Sequence, residues 1–519
     1  MYVINKEISK DLDTKAVDLY NIPLLNLMEN AGKAVYNVIE IEHPETNKKA
    51  LIVCGSGNNA GDGFVTARYL FNNNWNVVVV NLYQFDDYRN IALENLKILL
   101  KITESNESKL KIYFIKTLEE FISILNLFNP DVLVDSIFGI GLSRPIEGLT
   151  LDVIEKINTL NIPKYSIDIP SGISADDGSI SGNAVKADTT VTFSAPKIGN
   201  ILYPGKEYSG KLIVKDIGIP KEIVKSNVWT CIDPKELKEL IIPRKPDTHK
   251  GDYGKLLIIG GSNNYIGALV LAVEGALRSG AGLVYAGYKE TLRNQYSNKL
   301  SNECIHIPLP VNSNGEYSDT AYDFIINNEN LKKSILLVGP GIGRDKDVID
   351  LVKHIYLTWE GTLILDADAL FCIKEVINEF PHKSNLILTP HLGEMAYLTS
   401  QKADIIKKNF IDYSLNYSRS WNCTLVLKSA TTIVSSSAGQ IYINGFGNSG
   451  MAKGGSGDVL AGMISSFAAQ NYNTYNASIL GCTIHSIAGD IAKDKLTEWC
   501  MLPGDIAKNL SKAFKTILN

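Results

Sequence analysis

The chain has 519 residues, of which 45% are hydrophobic and 21% are charged, and its formal net charge is −5. This length corresponds to about two to four domains, and the composition excludes disordered and fibrous proteins. The mild acidity argues against nucleic-acid binding, and no apolar run approaches the ~18 residues of a membrane span. Seven cysteines without a Cys-x-x-Cys pair, and a start without a signal-peptide stretch, predict a cytoplasmic protein.

Short runs rich in Val, Ile and Leu alternate with helical patterns along the chain, which predicts parallel sheets covered by helices on both faces. In the first half, the predicted strands are residues 50–54, 76–82, 111–115, 131–135, 164–169, 189–193 and 211–214. In the second half they are residues 256–259, 283–286, 335–338, 362–365, 385–388, 424–427 and 440–443. Helices are expected at residues 90–102, 459–469, 477–492 and 504–518. The fold class is therefore α/β.

Two domains are expected, because a polar stretch rich in element-breaking residues separates the two series of strands. The first domain is placed at residues 1–220 and the second at residues 245–519. Residues 221–244 are the predicted linker.

Glycine is dense directly after the first predicted strand, at Gly55, Gly57, Gly61 and Gly63, and a helical pattern follows at residues 64–71. A strand, a glycine-rich turn and a helix N-terminus favour an anion, so a phosphate group is the expected ligand. The spacing is not the G-x-G-x-x-G of a redox dinucleotide fold, and the Lys-Ser/Thr of a P-loop is missing. A purely structural tight turn is the alternative interpretation.

Two further predicted strands end near carboxylates, Asp135 and Asp168. Either residue alone is as typical of a turn or a helix cap as of a ligand site. Because the carboxyl ends of parallel strands meet at one edge of a sheet, we expect both carboxylates to converge with the glycine loop on one crevice.

Together with Phe138-Gly-x-Gly141 and Asp168-x-Pro-Ser171-Gly, these segments resemble the N-terminal domain of the NAD(P)HX epimerases over roughly residues 1–218. That family has a Rossmann-like, three-layer α/β/α fold and interconverts the epimers of hydrated NADH and NADPH, which carry a hydroxyl at C6 of the nicotinamide ring. The resemblance implies that Asp168 is catalytic, and that a potassium ion is bound by Asn59, Asp135 and Ser171. It implies NAD(P)HX binding by Asn58, Asn59, Ala60, Gly61, Asp62, Gly139, Ile140, Gly141, Leu142, Ser143, Arg144, Pro145 and Asp168. Ala60 stands where the family usually has Gly, and this change restricts the turn if the position needs a positive φ.

A second glycine loop runs from Gly447 to Gly457 and leads through Asp458 into a helical pattern. Successive N–H groups at a helix N-terminus form an anion hole, with a capped helix after a flexible loop as the alternative. The pattern resembles the ribokinase-like fold, in which the loop stabilises a transferring phosphoryl group and the Asp takes a proton from the attacking hydroxyl.

Segments at residues 249–254, 260–268, 339–343, 389–394 and 427–432 resemble the ADP- or ATP-dependent NAD(P)HX dehydratases, over about residues 245–519. The resemblance implies that Asp458 is catalytic and that Ala268, Gly343, His391 and Asp458 bind NAD(P)HX. It also implies ADP binding by Lys428, Ser429, Ala430, Thr431, Thr432 and Gly457, accompanied by magnesium. Ser429 stands where the family often has Gly.

The two resemblances predict one bifunctional enzyme, because hydration damage gives both epimers and a chiral dehydratase accepts only one of them. Epimerisation of (R)- and (S)-NAD(P)HX would feed dehydration of the (S) form through phosphorylation of the C6 hydroxyl and loss of phosphate. The expected partners are NADHX, NADPHX and an adenine nucleotide; the choice between ADP and ATP is open, although the fused layout implies ADP. We also expect a homo-oligomer. The rival hypothesis is a vitamin or sugar kinase fused to a non-catalytic Rossmann-like scaffold.

Overall fold

The computed structural model describes residues 2–45, 48–106, 109–142, 144–224, 229–230, 234–380 and 385–518. It divides into two compact units, Met1–Trp229 and Thr230–Asn519. Each unit has its own largely parallel sheet and surrounding helices, which confirms the α/β fold class. Among the described residues, every helix is too short or too polar to span a bilayer.

The first unit contains eight complete strands and nine helices among its described residues. The strands are β1 (Tyr2–Val3), β2 (Lys49–Cys54), β3 (Asn76–Asn81), β4 (Leu110–Phe114), β5 (Val132–Ser136), β6 (Lys164–Ile167), β7 (Thr189–Phe193) and β8 (Lys211–Lys215). The helices are α1 (Lys6–Tyr20), α2 (Leu24–Glu42), α3 (Asn58–Asn72), α4 (Asn90–Asn106), α5 (Leu118–Phe128), α6 (Gly148–Asn158), α7 (Ile198–Ile201), α8 (Gly205–Ser209) and α9 (Lys221–Val224).

Strand β2 shows why this unit has three layers. Its Ala50 and Ile52 belong to one buried apolar cluster, whereas Leu51 and Val53 belong to another. Successive side chains of a strand point to opposite faces, so the sheet separates the two clusters and is covered by helices on both sides. The apolar run at residues 50–54 of β2 is continuous because both faces of the strand are buried.

The first sheet has the order β4-β3-β2-β5-β6-β7-β8, and all six pairs are parallel. The chain runs outward from β2 to β4 and then returns to β5 on the other side of β2. Such a reversal leaves a crevice at the carboxyl ends of the two central strands. The glycine loop follows β2 and Asp135 lies in β5, so both are at this crevice, as predicted.

Helix α3 begins at Asn58, whereas the sequence pattern predicted a helix only from residue 64. The first two helical turns were not predicted, because their glycines are typical of a loop. In the structure these glycines allow close packing of α3 against its neighbours. A Cβ atom on Gly61 would lie 2.5 Å from the Met28 side chain, and one on Gly63 would lie 2.3 Å from Ser136 Oγ. Ala60 lies in the helical first turn and is not among the residues of positive φ, so its methyl group causes no backbone strain.

The second unit contains the remaining strands and helices. The strands are β9 (Trp229–Thr230), which lies at the boundary of the units, β10 (Lys255–Ile259), β11 (Leu283–Lys289), β12 (Ile305–Leu309), β13 (Ile335–Val338), β14 (Leu363–Leu365), β15 (Leu386–Leu388), β16 (Thr424–Leu427), β17 (Thr432–Ser435) and β18 (Ile441–Asn444). The helices are α10 (Pro234–Leu240), α11 (Ile266–Arg278), α12 (Arg293–Tyr296), α13 (Ala321–Ile326), α14 (Lys346–Thr358), α15 (Asp368–Cys372), α16 (Leu392–Thr399), α17 (Ala403–Lys408), α18 (Phe410–Ser420), α19 (Ser456–Ala469), α20 (Thr474–Cys500) and α21 (Pro503–Leu518). Short 3-10 helices lie at Phe85–Asp87, Lys250–Tyr253, Glu290–Leu292 and Ser449–Met451.

In the second sheet the strands run in the order β18-β17-β16-β15-β14-β13-β10-β11-β12. The pairs from β12 to β16 are parallel, with the reversal of strand order between β10 and β13. Strand β17 is antiparallel to both β16 and β18, and this feature was not predicted. The sequence analysis also missed β17 and the partly exposed edge strand β12, and it treated residues 428–432 as a ligand loop.

Helices α11 and α19 cross in backbone contact at two glycines. A Cβ atom on Gly275 would lie 2.4 Å from the Val459 carbonyl oxygen, and one on Gly462 would lie 2.0 Å from the Ala272 carbonyl oxygen. This contact fixes the N-terminal turn of α19, which carries Asp458, against α11. Helices α9 and α10 lie within residues 221–244, the region predicted as a linker.

Candidate active sites

The first unit encloses a cavity of about 770 Å³. Ten of the predicted substrate-binding residues line it: Asn58, Asn59, Asp62, Gly139, Ile140, Gly141, Leu142, Arg144, Pro145 and Asp168. Ala60 and Gly61 are buried in α3 and are not among the described lining residues. Ser143 lies outside the described residues. The structure thus brings the glycine loop, the segment after β5 and the residue after β6 to one site.

Asp168 is held in this cavity by a buried lysine. Its backbone has a φ of 67°, a left-handed conformation that costs a non-glycine residue about 1–3 kcal/mol and that clusters at functional sites. Its Oδ1 accepts hydrogen bonds from Phe193 N at 3.2 Å, from Thr192 Oγ1 at 3.1 Å and from Lys197 Nζ. Lys197 is 1% exposed, and its Nζ also lies 3.2 Å from both Thr192 Oγ1 and the Phe193 carbonyl oxygen. The Asp168 carboxylate is therefore fixed and ion-paired.

The sequence analysis missed Lys197, although a signal was present. The residue follows the predicted strand 189–193 by four positions, at the same edge of the sheet as Asp168. Applying the strand-end rule to this strand as well would have found it.

Two more carboxyl groups, Asp62 and Asp13, line the cavity. Burial raises the pKa of Asp62 well above its ordinary value, and the charges of Asp168 and Asp13 raise it further. Burial also raises the pKa of Asp13 to about 6, against the opposing charge of Lys197. Asp13 lies on α1, far in sequence from every predicted strand end, so only the tertiary structure places it at this site.

Asp135 and Ser171 form a buried, hydrogen-bonded pair, and the carbonyl oxygen of the buried Asn59 accepts a hydrogen bond from Ser136, the neighbour of Asp135. Asp135 Oδ1 lies 2.5 Å from Ser171 Oγ, and Oδ2 accepts hydrogen bonds from Ser171 N at 2.9 Å and Ser166 Oγ at 2.8 Å. Burial raises the pKa of Asp135, and these hydrogen bonds oppose the rise. Asn59 Nδ2 is buried and has no hydrogen-bond partner within the described part of the chain. The Asn59 side chain faces Gly139, where a Cβ atom would lie 3.3 Å from Oδ1.

In the second unit, Asp458 lies in the first turn of α19, directly after the glycine loop. The preceding Gly455 has a φ of 104°, which favours glycine and turns the chain into the helix. A Cβ atom on Gly457 would lie 3.3 Å from Lys428 Nζ, so the lysine lies beside this N-terminus. Burial raises the pKa of Asp458 to about 6; the charge of Asp366 adds to the rise, and Lys428 opposes it.

Lys428 does not present a free ammonium group. Its Nζ donates to Asp366 Oδ1 at 2.8 Å, and the same oxygen accepts from Thr389 Oγ1 at 2.6 Å. Burial lowers the pKa of Lys428, but the charges of Asp366 and Glu394 outweigh it and leave the pKa above its ordinary value. Asp366 was missed although it directly follows β14, as Asp168 directly follows β6.

His391 caps the N-terminus of α16. Its Nδ1 accepts from Gly393 N at 3.0 Å and from Glu394 N at 3.1 Å, and Glu394 Oε2 accepts in return from His391 N at 2.7 Å. Burial lowers the pKa of His391, which favours the neutral imidazole that this capping requires. Burial raises the pKa of Glu394 to about 7. Since His391 and Lys428 form a β-bridge, these residues belong to the surroundings of Asp458.

The remaining predicted residues of the second unit lie on a helix, on a loop and at a turn between two strands. Ala268 lies in α11, and its Cβ is 2.8 Å from the place of a Cβ atom on Gly341. Gly343 N donates to Asp368 Oδ2 at 3.1 Å, and the charge of Asp368 contributes to the raised pKa of Asp458. Ser429, Ala430, Thr431 and Thr432 form the turn between β16 and β17 and its edge.

Comparison with known proteins matches a family model to each of the two units. A family model described as NAD(P)H-hydrate dehydratase matches residues 256–512, and a model described as YjeF-related protein N-terminus matches residues 24–199. The crystal structure of an ADP/ATP-dependent NAD(P)H-hydrate dehydratase from Bacillus subtilis, co-crystallised with ATP/Mg2+, is 25% identical, with a TM-score of 0.48; the match covers 55% of this chain and 97% of that chain.

Similarity to the curated relatives spans the whole chain. A bifunctional NAD(P)H-hydrate repair enzyme Nnr from Moorella thermoacetica is 36% identical over 531 aligned residues, which cover 100% of this chain and 99% of the relative. A relative of the same name from Dictyoglomus turgidum is 34% identical, with 100% and 99% coverage. The chain therefore belongs to the family of bifunctional NAD(P)H-hydrate repair enzymes.

Proposed function

We propose that the chain epimerises (R)- and (S)-NAD(P)HX in its first unit and dehydrates (S)-NAD(P)HX to NAD(P)H in its second unit, with ADP or ATP as phosphoryl donor. The observation that carries this proposal is that the family match spans the full chain and that each unit contains a predicted catalytic aspartate, Asp168 after a strand and Asp458 at a glycine-rich helix N-terminus.

In the epimerase unit, Asp168 is the proposed catalytic residue. Epimerisation at C6 requires a proton to move at the C6 hydroxyl, and a positioned carboxylate contributes to such a step. The ion pair with Lys197 and the backbone N–H of Phe193 hold Oδ1 in place. Among the described residues, the hydrogen bonds to this carboxylate go to Oδ1, which leaves Oδ2 for the substrate.

A potassium ion is proposed at Asn59, Asp135 and Ser171. The donor chemistry supports it, because carboxylate, hydroxyl and amide oxygens are ligands that hard cations prefer, and the buried Nδ2 of Asn59 has no partner within the described residues. Rotating this amide by 180° would turn its oxygen to the place of the nitrogen. The ion would supply a fixed positive charge near the substrate, while Asp135 and Ser171 position the segment after β5.

In the dehydratase unit, Asp458 is the proposed base for the C6 hydroxyl. As its proton passes to Asp458, the hydroxyl oxygen bonds to the terminal phosphorus of the nucleotide, and the bond from that phosphorus to its bridging oxygen breaks. The N–H groups before α19 stabilise the transferring charge. Phosphate then leaves C6 more readily than hydroxide would, because it is the better leaving group. A proton is lost from the neighbouring ring carbon, and the double bond of NAD(P)H forms.

Magnesium is proposed to accompany the nucleotide phosphates. Such a Mg2+ ion needs only one or two protein carboxylates. This is compatible with the described residues, which contain no group of three or more His, Cys, Asp or Glu side chains arranged to hold a metal ion.

The test is to incubate the purified protein with an NADHX epimer mixture and ADP or ATP. Recovery of the absorbance of reduced nicotinamide from both epimers is expected, and no recovery with either nucleotide would overturn the proposal. A stable phosphorylated product from a vitamin or sugar would favour the kinase alternative. Light scattering on the same sample tests the proposed homo-oligomer.

A further inference from the structure

Asp13 is a cavity carboxyl for which the proposed steps give no role. It lines the same cavity as Asp168 and Lys197. The chain before α1 is tied to the segment that carries Lys197: Ile4 N donates to the Pro196 carbonyl oxygen at 2.9 Å, and Ile198 N donates to the Ile4 carbonyl oxygen at 2.9 Å. These bonds hold α1, and therefore Asp13, against the site.

The surroundings of the two carboxyl groups differ. Asp168 is paired with the Lys197 ammonium group. For Asp13, burial and the negative charge of Asp168 disfavour ionisation. Together they outweigh the attraction of Lys197 and raise the pKa of Asp13 to about 6. A carboxyl group whose ionisation is disfavoured, in the same cavity as a carboxylate paired with a lysine, is suited to the role of proton donor.

We propose that Asp13 is the proton donor of the epimerase site and that Asp168 is its acceptor. This inference rests on the proposed epimerase function of the cavity. It assigns to α1 a catalytic residue that no motif in the sequence marks.

The proposed step balances as follows. The Asp13 proton moves to the C6 hydroxyl oxygen, the C6–O bond breaks with its electron pair on oxygen, and water leaves while the ring nitrogen lone pair forms a double bond to C6. Water then adds to the other side of C6, the double bond returns its pair to nitrogen, and the proton that the water loses passes to Asp168. Exchange with solvent restores the starting protonation states.

The test uses the full chain without nucleotide, so that phosphoryl transfer is absent, and follows (R) and (S) epimers by chromatography. Asp13→Asn is expected to lower kcat for epimer exchange by about 10²–10⁴-fold with KM little changed, and Asp13→Glu is expected to restore part of the loss. Asp18→Asn is the matched control, because Asp18 is an exposed carboxylate on the same helix. Dehydration of purified (S) epimer, measured separately with nucleotide, reports on the folding of the chain.

Three results would overturn the proposal: exchange by Asp13→Asn within threefold of the unsubstituted protein, a change in KM alone, or exchange in ¹⁸O-labelled water without label at C6. Should Asp13→Asn fail to fold, Asp13→Ser replaces it, and full exchange by that variant has the same meaning. Asp168→Asn distinguishes an error in the site from an error in the role of Asp13. If Asp168→Asn also exchanges epimers normally, the proposed location of the epimerase site is wrong. If Asp13 variants exchange epimers normally but Asp168→Asn does not, only the role of Asp13 is wrong.

Discussion

Substituting Asp458 by Asn should abolish dehydration while stabilising the second unit. The carboxylate is the proposed base, and loss of a positioned base typically costs about 10²–10⁴-fold in rate. Epimer exchange, which occurs in the other unit, should be unchanged. The effect on stability follows from the raised pKa, because a buried carboxylate that must ionise destabilises the fold.

The magnitude can be derived from the shift. A pKa raised from 3.8 to about 6 corresponds to about 3 kcal/mol of lost stability once both states are ionised. The folded state holds the proton more tightly, so stability falls as pH rises from 3.8 through about 6, and the penalty is complete above that value. The neutral amide of the Asp458→Asn variant carries no such penalty. The variant should therefore be more stable by up to about 3 kcal/mol at about pH 7.5, and by about half of that at about pH 5.

The assay is urea unfolding of the second unit at both pH values, together with dehydration of (S)-NADHX. Asp350→Asn, which changes an exposed carboxylate on α14, is the control and should alter neither quantity. In the unsubstituted protein, dehydration should rise with pH through about 6 and then level off, because the base form of Asp458 is required. A variant that dehydrates within tenfold of the unsubstituted protein would refute the assigned role, and a less stable variant at about pH 7.5 would refute the electrostatic argument.

Three further outcomes are expected. Asp168→Asn should lower epimer exchange by about 10²–10⁴-fold and spare dehydration of the (S) form, measured by chromatography without nucleotide and by absorbance with it; normal exchange would contradict the assignment. Replacing potassium in the buffer by tetramethylammonium should slow epimer exchange but not the base step at Asp458, and equal exchange rates in both salts would argue against the proposed potassium site. Gly275→Ala should destabilise the second unit by about 1–3 kcal/mol, because its Cβ atom would lie 2.4 Å from the Val459 carbonyl oxygen. Gly504→Ala is the control and should be neutral or stabilising, because a Cβ atom there would have nothing within 4 Å. Thermal unfolding of both variants is the measurement.

Short-range sequence patterns predicted most strands of both sheets and the acidic residues near the carboxyl ends of these strands. The apolar runs of β2, β5 and β13 are continuous because both faces of a covered parallel sheet are buried, and that property is visible in the sequence itself. Asp168 and Asp458 were predicted because a strand end and a glycine-rich helix start mark them locally. The true start of α3 was not predicted, because its glycines look like a loop until Met28 and Ser136 are seen packed against them.

Neighbours along the chain were thus sufficient to predict the α/β class, the two glycine loops and the acidic residues next to them. The pairing of charges, in contrast, depends on the folded chain. Lys197 pairs with Asp168, Lys428 pairs with Asp366, and Asp13 reaches a cavity formed mainly by residues more than forty positions away. Burial and the distance between charges set the protonation of a carboxyl group, and neither quantity exists until distant segments have packed together.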